Sequence, residues 1–201
     1  MRYEWEPYLH FGSKKKLKKG ETLYMQGERG YGFYYLQKGK MNIKIVSEGG
    51  KERIIDHLLD GFLLGEQGIA EEPYSTTAIC VSDVELYHFS SNAFIELCEK
   101  HPEATGIFMK ALISKVRMLA ETMAIINRPY EQQMAQFLVR LSKKHETMKI
   151  PVTQISLAQY IGTSRITVYK IIQKWTSQNL VQQKGRHIEI LDMDEMKALY
   201  H

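Results

Sequence analysis

Apolar residues recur at helical spacing in two places along this chain. Between Thr153 and Gln178, Leu157, Ala158 and Ile161 share one face. After a break at Gly162-Thr163-Ser164, Val168, Ile171, Ile172 and Trp175 recur at i, i+3, i+4 and i+7. That spacing predicts two short helices with their backs in a core. A longer pattern runs from Pro102 to Asn127. Met109, Val116 and Met123 repeat at sevens, and so do Leu112, Leu119 and Ile126, offset by three or four. This is an a/d seam on one long helix. Ile107, Phe108, Met118 and Ile125 widen its apolar surface, so one flank can face the chain's own core and the other a partner.

The N-terminal half follows a different period. Short runs at Thr22-Tyr24, Tyr31-Gln37, Met41-Val46, Arg53-Leu59, Thr77-Val81 and Val84-Phe89 are bounded by Gly, Asp, Glu or Pro, and several alternate. Eleven of the 14 glycines lie at or before Gly68, which marks many tight turns. The pattern predicts an antiparallel barrel or roll rather than an α/β sheet. After Pro129, Met134, Phe137, Leu138 and Leu141 predict a further helix. Leu180 to Leu191 reads as two strands around Lys184-Gly185, and Asp192 to His201 as a short helix with Met196, Leu199 and Tyr200 inward. The fold class is α+β: an antiparallel roll over 1–101, a long helix over 102–128, and a helix-turn-helix with a hairpin wing over 129–201.

The outward face of the second short helix sets the functional expectation. Arg165, Ile166, Tyr169, Lys170 and Gln173 lie there with no acid among them. A helix held by its back and showing Arg, Lys and Gln outward suits the DNA major groove, where Arg or Lys pairs with guanine and Gln with adenine. Charge concentrates around it. From Arg140 to Arg186 there are nine Lys or Arg against one acid, Glu146, a net +8 in a chain whose total is +4. Such packing is the footprint of a phosphate-backbone binder. Lys184 and Arg186 at the wing tip can touch phosphates. A helix reader works as a two-fold pair on a palindromic operator, so the seam is read as a homodimer interface made by Met109, Leu112, Val116, Leu119, Met123 and Ile126.

Other classes find little support. Cys80 and Cys98 form no CxxC pair or Cys/His cluster, so no metal site or cofactor is expected. The seven histidines are scattered, and no Ser/His/Asp set or phosphate-binding loop is present, so no catalytic residues are assigned. Met1 to Phe11 lacks a leader's apolar run, and no stretch is long and apolar enough to span a bilayer. A cytoplasmic protein with free thiols and no membrane partner is expected. The competing reading is a small-molecule-sensing module whose C-terminal domain makes protein contacts.

In this order, roll, seam helix and winged helix-turn-helix resemble the bacterial cyclic-AMP receptor protein / FNR family of transcription regulators. Lys19-Gly20-Glu21-Thr22-Leu23, Gly39 and Asp60-Gly61-Phe62-Leu63-Leu64-Gly65-Glu66 look like the family's roll. Gly162-Thr163-Ser164-Arg165-Ile166-Thr167-Val168 looks like its recognition-helix signature. The resemblance implies a cyclic-nucleotide-binding-like jelly roll that senses an effector, double-stranded DNA as partner, and RNA polymerase as a further one. It makes Arg165 a base reader, Lys170 a second basic reader, and Ser164 and Thr167 phosphate contacts. Where the family often has a cytosine-reading Glu, this chain has Ile166, which can meet a thymine methyl instead.

The effector pocket carries over only in part. Gly65-Glu66 keeps the family's ribose pair. Its phosphate-holding Arg-Ser falls on Thr76-Thr77, without the Arg, and its polar pair on the long helix falls near Met118-Leu119. A buried phosphate without a guanidinium is costly. Cyclic AMP is therefore not the expected effector; a small, neutral or weakly polar ligand lined by these residues, or none, is. Glu66 also reads as a solvated acid opening a short helix.

Overall fold

The glycine-punctuated runs become two four-stranded antiparallel sheets in the computed structural model of the chain, which describes residues 3–50 and 52–200. Met1, Arg2, Lys51 and His201, the last being the end of the expected tail helix, lie outside the described residues. The strands are β1 (Ser13–Leu17), β2 (Thr22–Tyr24), β3 (Phe33–Lys38), β4 (Lys40–Val46), β5 (Glu52–Leu59), β6 (Phe62–Leu64), β7 (Thr77–Cys80) and β8 (Val84–Phe89). One sheet has the order β1-β8-β3-β6 and the other β2-β7-β4-β5. Their inner faces share one core, in which Leu36 and Leu86 from the first sheet meet Met41, Ile43 and Ala78 from the second.

Period two explains the other face of β3 and β8. Phe33, Tyr35 and Phe89 point away from that core into a second one with Trp5, Leu97, Ala104, Phe108 and Ala111. This second core is built from helices α1 (Ser91–Lys100) and α2 (Pro102–Ile125) and a short 3-10 helix, Glu6–Phe11. Two compact units result, one of residues 3–50 and 55–120, the other of residues 52–54 and 121–200.

Three elements of the first unit escape the sequence pattern. Strand β1 is Ser-Lys-Lys-Lys-Leu, almost wholly exposed, and it exists because β8 pairs with it from Ser13↔His88 to Leu17↔Val84. Lysines on an edge strand also discourage edge-to-edge pairing. Strand β6 is three buried residues, too short for alternation to register. Helix α1 starts on the Ser90 side chain, which accepts from the Ala93 amide, and has few buried residues of its own to betray it.

The second unit contains α3 (Tyr130–His145), β9 (Lys149–Ile150), α4 (Gln154–Ile161), α5 (Arg165–Ser177), β10 (Val181–Lys184), β11 (His187–Ile190) and α6 (Met193–Ala198). The small sheet runs β10-β11-β9. Met134, Phe137, Leu138 and Leu141 of α3 are buried with Leu157, Ile161, Val168, Ile172, Trp175 and Met196 in one core, with Leu199 and Tyr200 packed against it. The expected helical stripes are therefore the faces that meet there.

Candidate functional site

The turn between α4 and α5 is fixed by local chemistry. Thr153 caps α4 by accepting from the Ser156 amide, in a reciprocal capping box. Gly162 ends it in the left-handed region, at φ 75°, where a side chain would be strained. Ser164 then caps α5 by accepting from the Thr167 amide, and the two hydroxyls lie 2.9 Å apart. Their capping role is thus visible beside the phosphate role expected of them. The Trp175 indole donates to Glu131 of α3 at 2.8 Å, and the rings of Phe137 and Tyr160 stack at 3.6 Å. These contacts hold both helices on α3 and leave the far side of α5 free.

That far side carries Arg165, Ile166, Tyr169, Lys170 and Gln173, all exposed, Ile166 at 68%. Among the described residues Arg165 and Lys170 make no ion pair. Other cations of the basic stretch are committed. Arg140 donates to Thr122 at 2.9 Å and to the Tyr160 hydroxyl at 3.0 Å, and Lys174 bonds Glu131 at 2.9 Å. The wing differs by one residue from expectation: Lys184 pairs with His187, so Gly185 and Arg186 form the tip, with Gly185 at φ 59°. Arg186 and Lys184 are both exposed, and Lys184 lies 3.5 Å from Glu189.

The seam on α2 separates into two flanks. Met109, Val116, Leu119, Met123 and Ile126 are exposed, Val116 at 67% and Met123 at 75%, and Ile113 joins them. Leu112 does not belong there. It packs with Ile107 against the core of Trp5 and Phe33, because it follows Phe108 by four residues on the inward face. Ile126 falls one residue past the helix end.

The residues of the expected effector pocket are engaged with the protein itself. Glu66 is buried, with a side chain 5% exposed, so the reading as a solvated acid is corrected. The Lys115 ammonium of α2 donates to both of its carboxylate oxygens, and to the Leu63 carbonyl at 3.1 Å. Thr77 is buried and accepts from the Gln26 amide at 2.9 Å. Thr76 is hydrogen-bonded to the Tyr24 hydroxyl. Gly65 adopts φ 74°, and a Cβ there would meet the Tyr24, Tyr34 and Tyr74 rings at 3.1–3.4 Å. Tyrosines thus fill the space beside the Gly65-Glu66 turn, and burial pushes all three phenols above their ordinary range. The α2 side chain that reaches Glu66 is Lys115, while Met118 is half-buried and Leu119 exposed. Lys115 was legible as a lone cation on the inward row Phe108, Ala111, Leu112, Lys115, spaced i, i+3, i+4 and i+7.

Fold and site together define a sensor-type β-roll joined to a winged helix-turn-helix. The cyclic nucleotide-binding domain family matches residues 14–101, and the Crp-like helix-turn-helix domain family matches residues 132–199. The chain is 24% identical over 193 residues to the transcriptional activator protein FnrA of Stutzerimonas stutzeri, covering 92% of this chain and 79% of that one. It is 29% identical over 178 residues to the cAMP-activated global transcriptional regulator CRP of Salmonella typhimurium, covering 84% and 85%. The solved structure of FixK2 from Bradyrhizobium japonicum superposes with a TM-score of 0.83 at 14% identity, over 94% of this chain and 98% of that one. The chain belongs to the CRP/FNR family of transcription regulators. No helix among the described residues is long and apolar enough to cross a membrane.

Proposed function

We propose that this chain is a homodimeric regulator that reads a palindromic DNA operator through α5, and that cyclic AMP does not control it. One observation carries the DNA reading: the outward face of α5 presents Arg165 and Lys170 exposed and, among the described residues, without an ion pair, while its back is locked in the core. Two such helices, one per protomer, would enter successive major grooves of a two-fold site. The exposed apolar stripe of α2, from Met109 to Ile126, supplies the pairing surface. Arg186 at the wing tip supports the docking through phosphate. RNA polymerase is the further partner that the activator names of the relatives support.

The effector part rests on the roll. Thr76 stands where a cyclic phosphate needs a guanidinium, and the Glu66 carboxylate is already held by Lys115. A ribose hydroxyl would have to share that carboxylate with the ammonium. The test of the DNA reading is a mobility-shift titration of the full chain on genomic fragments and on random duplex at several salt concentrations. Arg165→Ala should cost roughly 1–3 kcal/mol and flatten sequence preference, and Arg186→Ala should weaken all duplexes alike and lower the salt slope by about one. Absence of any DNA binding would favour a C-terminal domain that contacts protein.

A further inference from the structure

A cavity of about 350 Å³ opens at one end of the roll, and Tyr24, Tyr34 and Tyr74, the rings beside the Gly65-Glu66 turn, are part of its lining. Ser13, His88 and Tyr34 form a single cross-strand row where β1 and β3 begin and β8 ends, and all three line it. None of Glu66, Thr76, Thr77, Met118 or Leu119 does. Its size lies in the range of small-molecule sites, at roughly 300–1,000 Å³.

Tyrosines make its wall. The rings of Tyr24 and Tyr74 stack at 4.0 Å, Tyr34 lies nearly parallel to Tyr24 at 6.1 Å, and His88 leans on Tyr34 at 4.9 Å. Tyr31, 59% exposed, stands at the rim. Stacked in this way the rings spend faces on one another, and their hydroxyls are engaged with Thr76, with the Gly32 carbonyl and with each other, so ring edges are what they offer an occupant. An aromatic guest meets such edges favourably. A quaternary ammonium, which needs open ring faces, does not.

The charges at the rim choose a sign. Lys15 lines the cavity, is exposed, and pairs with no carboxylate among the described residues. The Arg29 guanidinium gives one nitrogen to Glu71 at 2.9 Å and keeps further N–H groups. The acid of the lining, Glu28, is turned to its own loop, where it accepts from the Met25 amide at 2.7 Å. His88 Nε2 donates to the Tyr31 carbonyl at 3.1 Å, which fastens the rim loop to β8.

We propose that this cavity binds a small planar aromatic acid, its ring against the tyrosines and its carboxylate between Lys15 and Arg29. The site is an effector site that the family assignment does not supply. It concerns the roll alone and holds whether or not α5 reads DNA.

The experiment is calorimetric titration of the full chain, without DNA. Benzoate, 4-hydroxybenzoate and indole-3-acetate are the probes. Benzylamine has a ring with the opposite charge, and cyclohexanecarboxylate has the charge without the aromatic ring. At least one aromatic acid should bind at one site per chain, at least about tenfold more tightly than either control. Lys15→Glu should weaken it by a similar factor, and Ser13→Trp should block it by filling the rim. Both positions are exposed on the edge strand, so the variants should melt with the parent. Three results would each overturn the proposal: no heat from any aromatic acid at millimolar concentration, benzylamine binding as well as the acids, or binding unchanged in both variants.

Discussion

Lys115→Met removes the counter-charge from a carboxylate that has almost no contact with water. Glu66 keeps a 5% exposed side chain, while Lys115 is 30% exposed, so solvent reaches the ammonium more easily than the acid. Unit charges about 4 Å apart attract by about 4 kcal/mol at an effective dielectric constant near 20. Removing one partner of a buried pair costs about 3–5 kcal/mol, because the remaining charge is stranded. The half-open side of Lys115 lets water soften that loss, which puts the expected cost at about 2–4 kcal/mol. For a chain of this size each kcal/mol moves Tm by about 2–4 °C, so the roll should melt roughly 5–15 °C lower. Because the chain divides into two compact units, the transition must be followed through the tyrosines of the roll as well as by calorimetry. Glu66→Gln in the Lys115→Met background should recover most of the loss, since a neutral pair leaves no buried charge. A single variant that melts within about a degree of the parent would refute the claim that this pair is a buried, mutually dependent one.

Further outcomes follow from the same surfaces. Val116→Asp places a carboxylate on the exposed stripe of α2; light scattering at micromolar concentration should then report a folded monomer, and a surviving dimer would remove α2 as the interface. Calorimetry with millimolar cyclic AMP should show no binding, whereas micromolar affinity coupled to tighter operator binding would show that another cation replaces the missing guanidinium. Burial above all holds Tyr24, Tyr34 and Tyr74 above the ordinary phenol range. The unfolded chain therefore gives up these protons first, so this contribution is complete below about pH 10 and fades as pH rises beyond it. Urea midpoints should fall over that window, with these phenolate signals delayed until the roll opens. Early titration of all the tyrosines would contradict their burial.

Much of the architecture is written in local pattern. The i, i+3, i+4, i+7 stripe of Val168, Ile171, Ile172 and Trp175 fixes which face of α5 is free, because a helix with one apolar stripe has one way to bury it. Gly162 and Ser164 place the turn, since a left-handed end and an oxygen cap are chemical requirements met within a few residues. Periodicity and turn residues act at short range, and they gave roll, seam and reader in order. What lay beyond reach depends on pairing between distant segments. Strand β1 looks polar in sequence and is a strand only because β8 supplies its ladder. The inward turn of Leu112 and the commitment of Arg140 to Thr122 and Tyr160 are decided by what packs opposite them. Glu66 and Lys115 stand 49 residues apart, and their pairing answers a question that neither neighbourhood poses. Likewise the tyrosine wall gathers Tyr24, Tyr34 and Tyr74 from separate segments of the chain. A sequence shows which side chains carry charge or a ring, but only the tertiary fold decides which of them are taken out of water together, and that desolvation sets their energies.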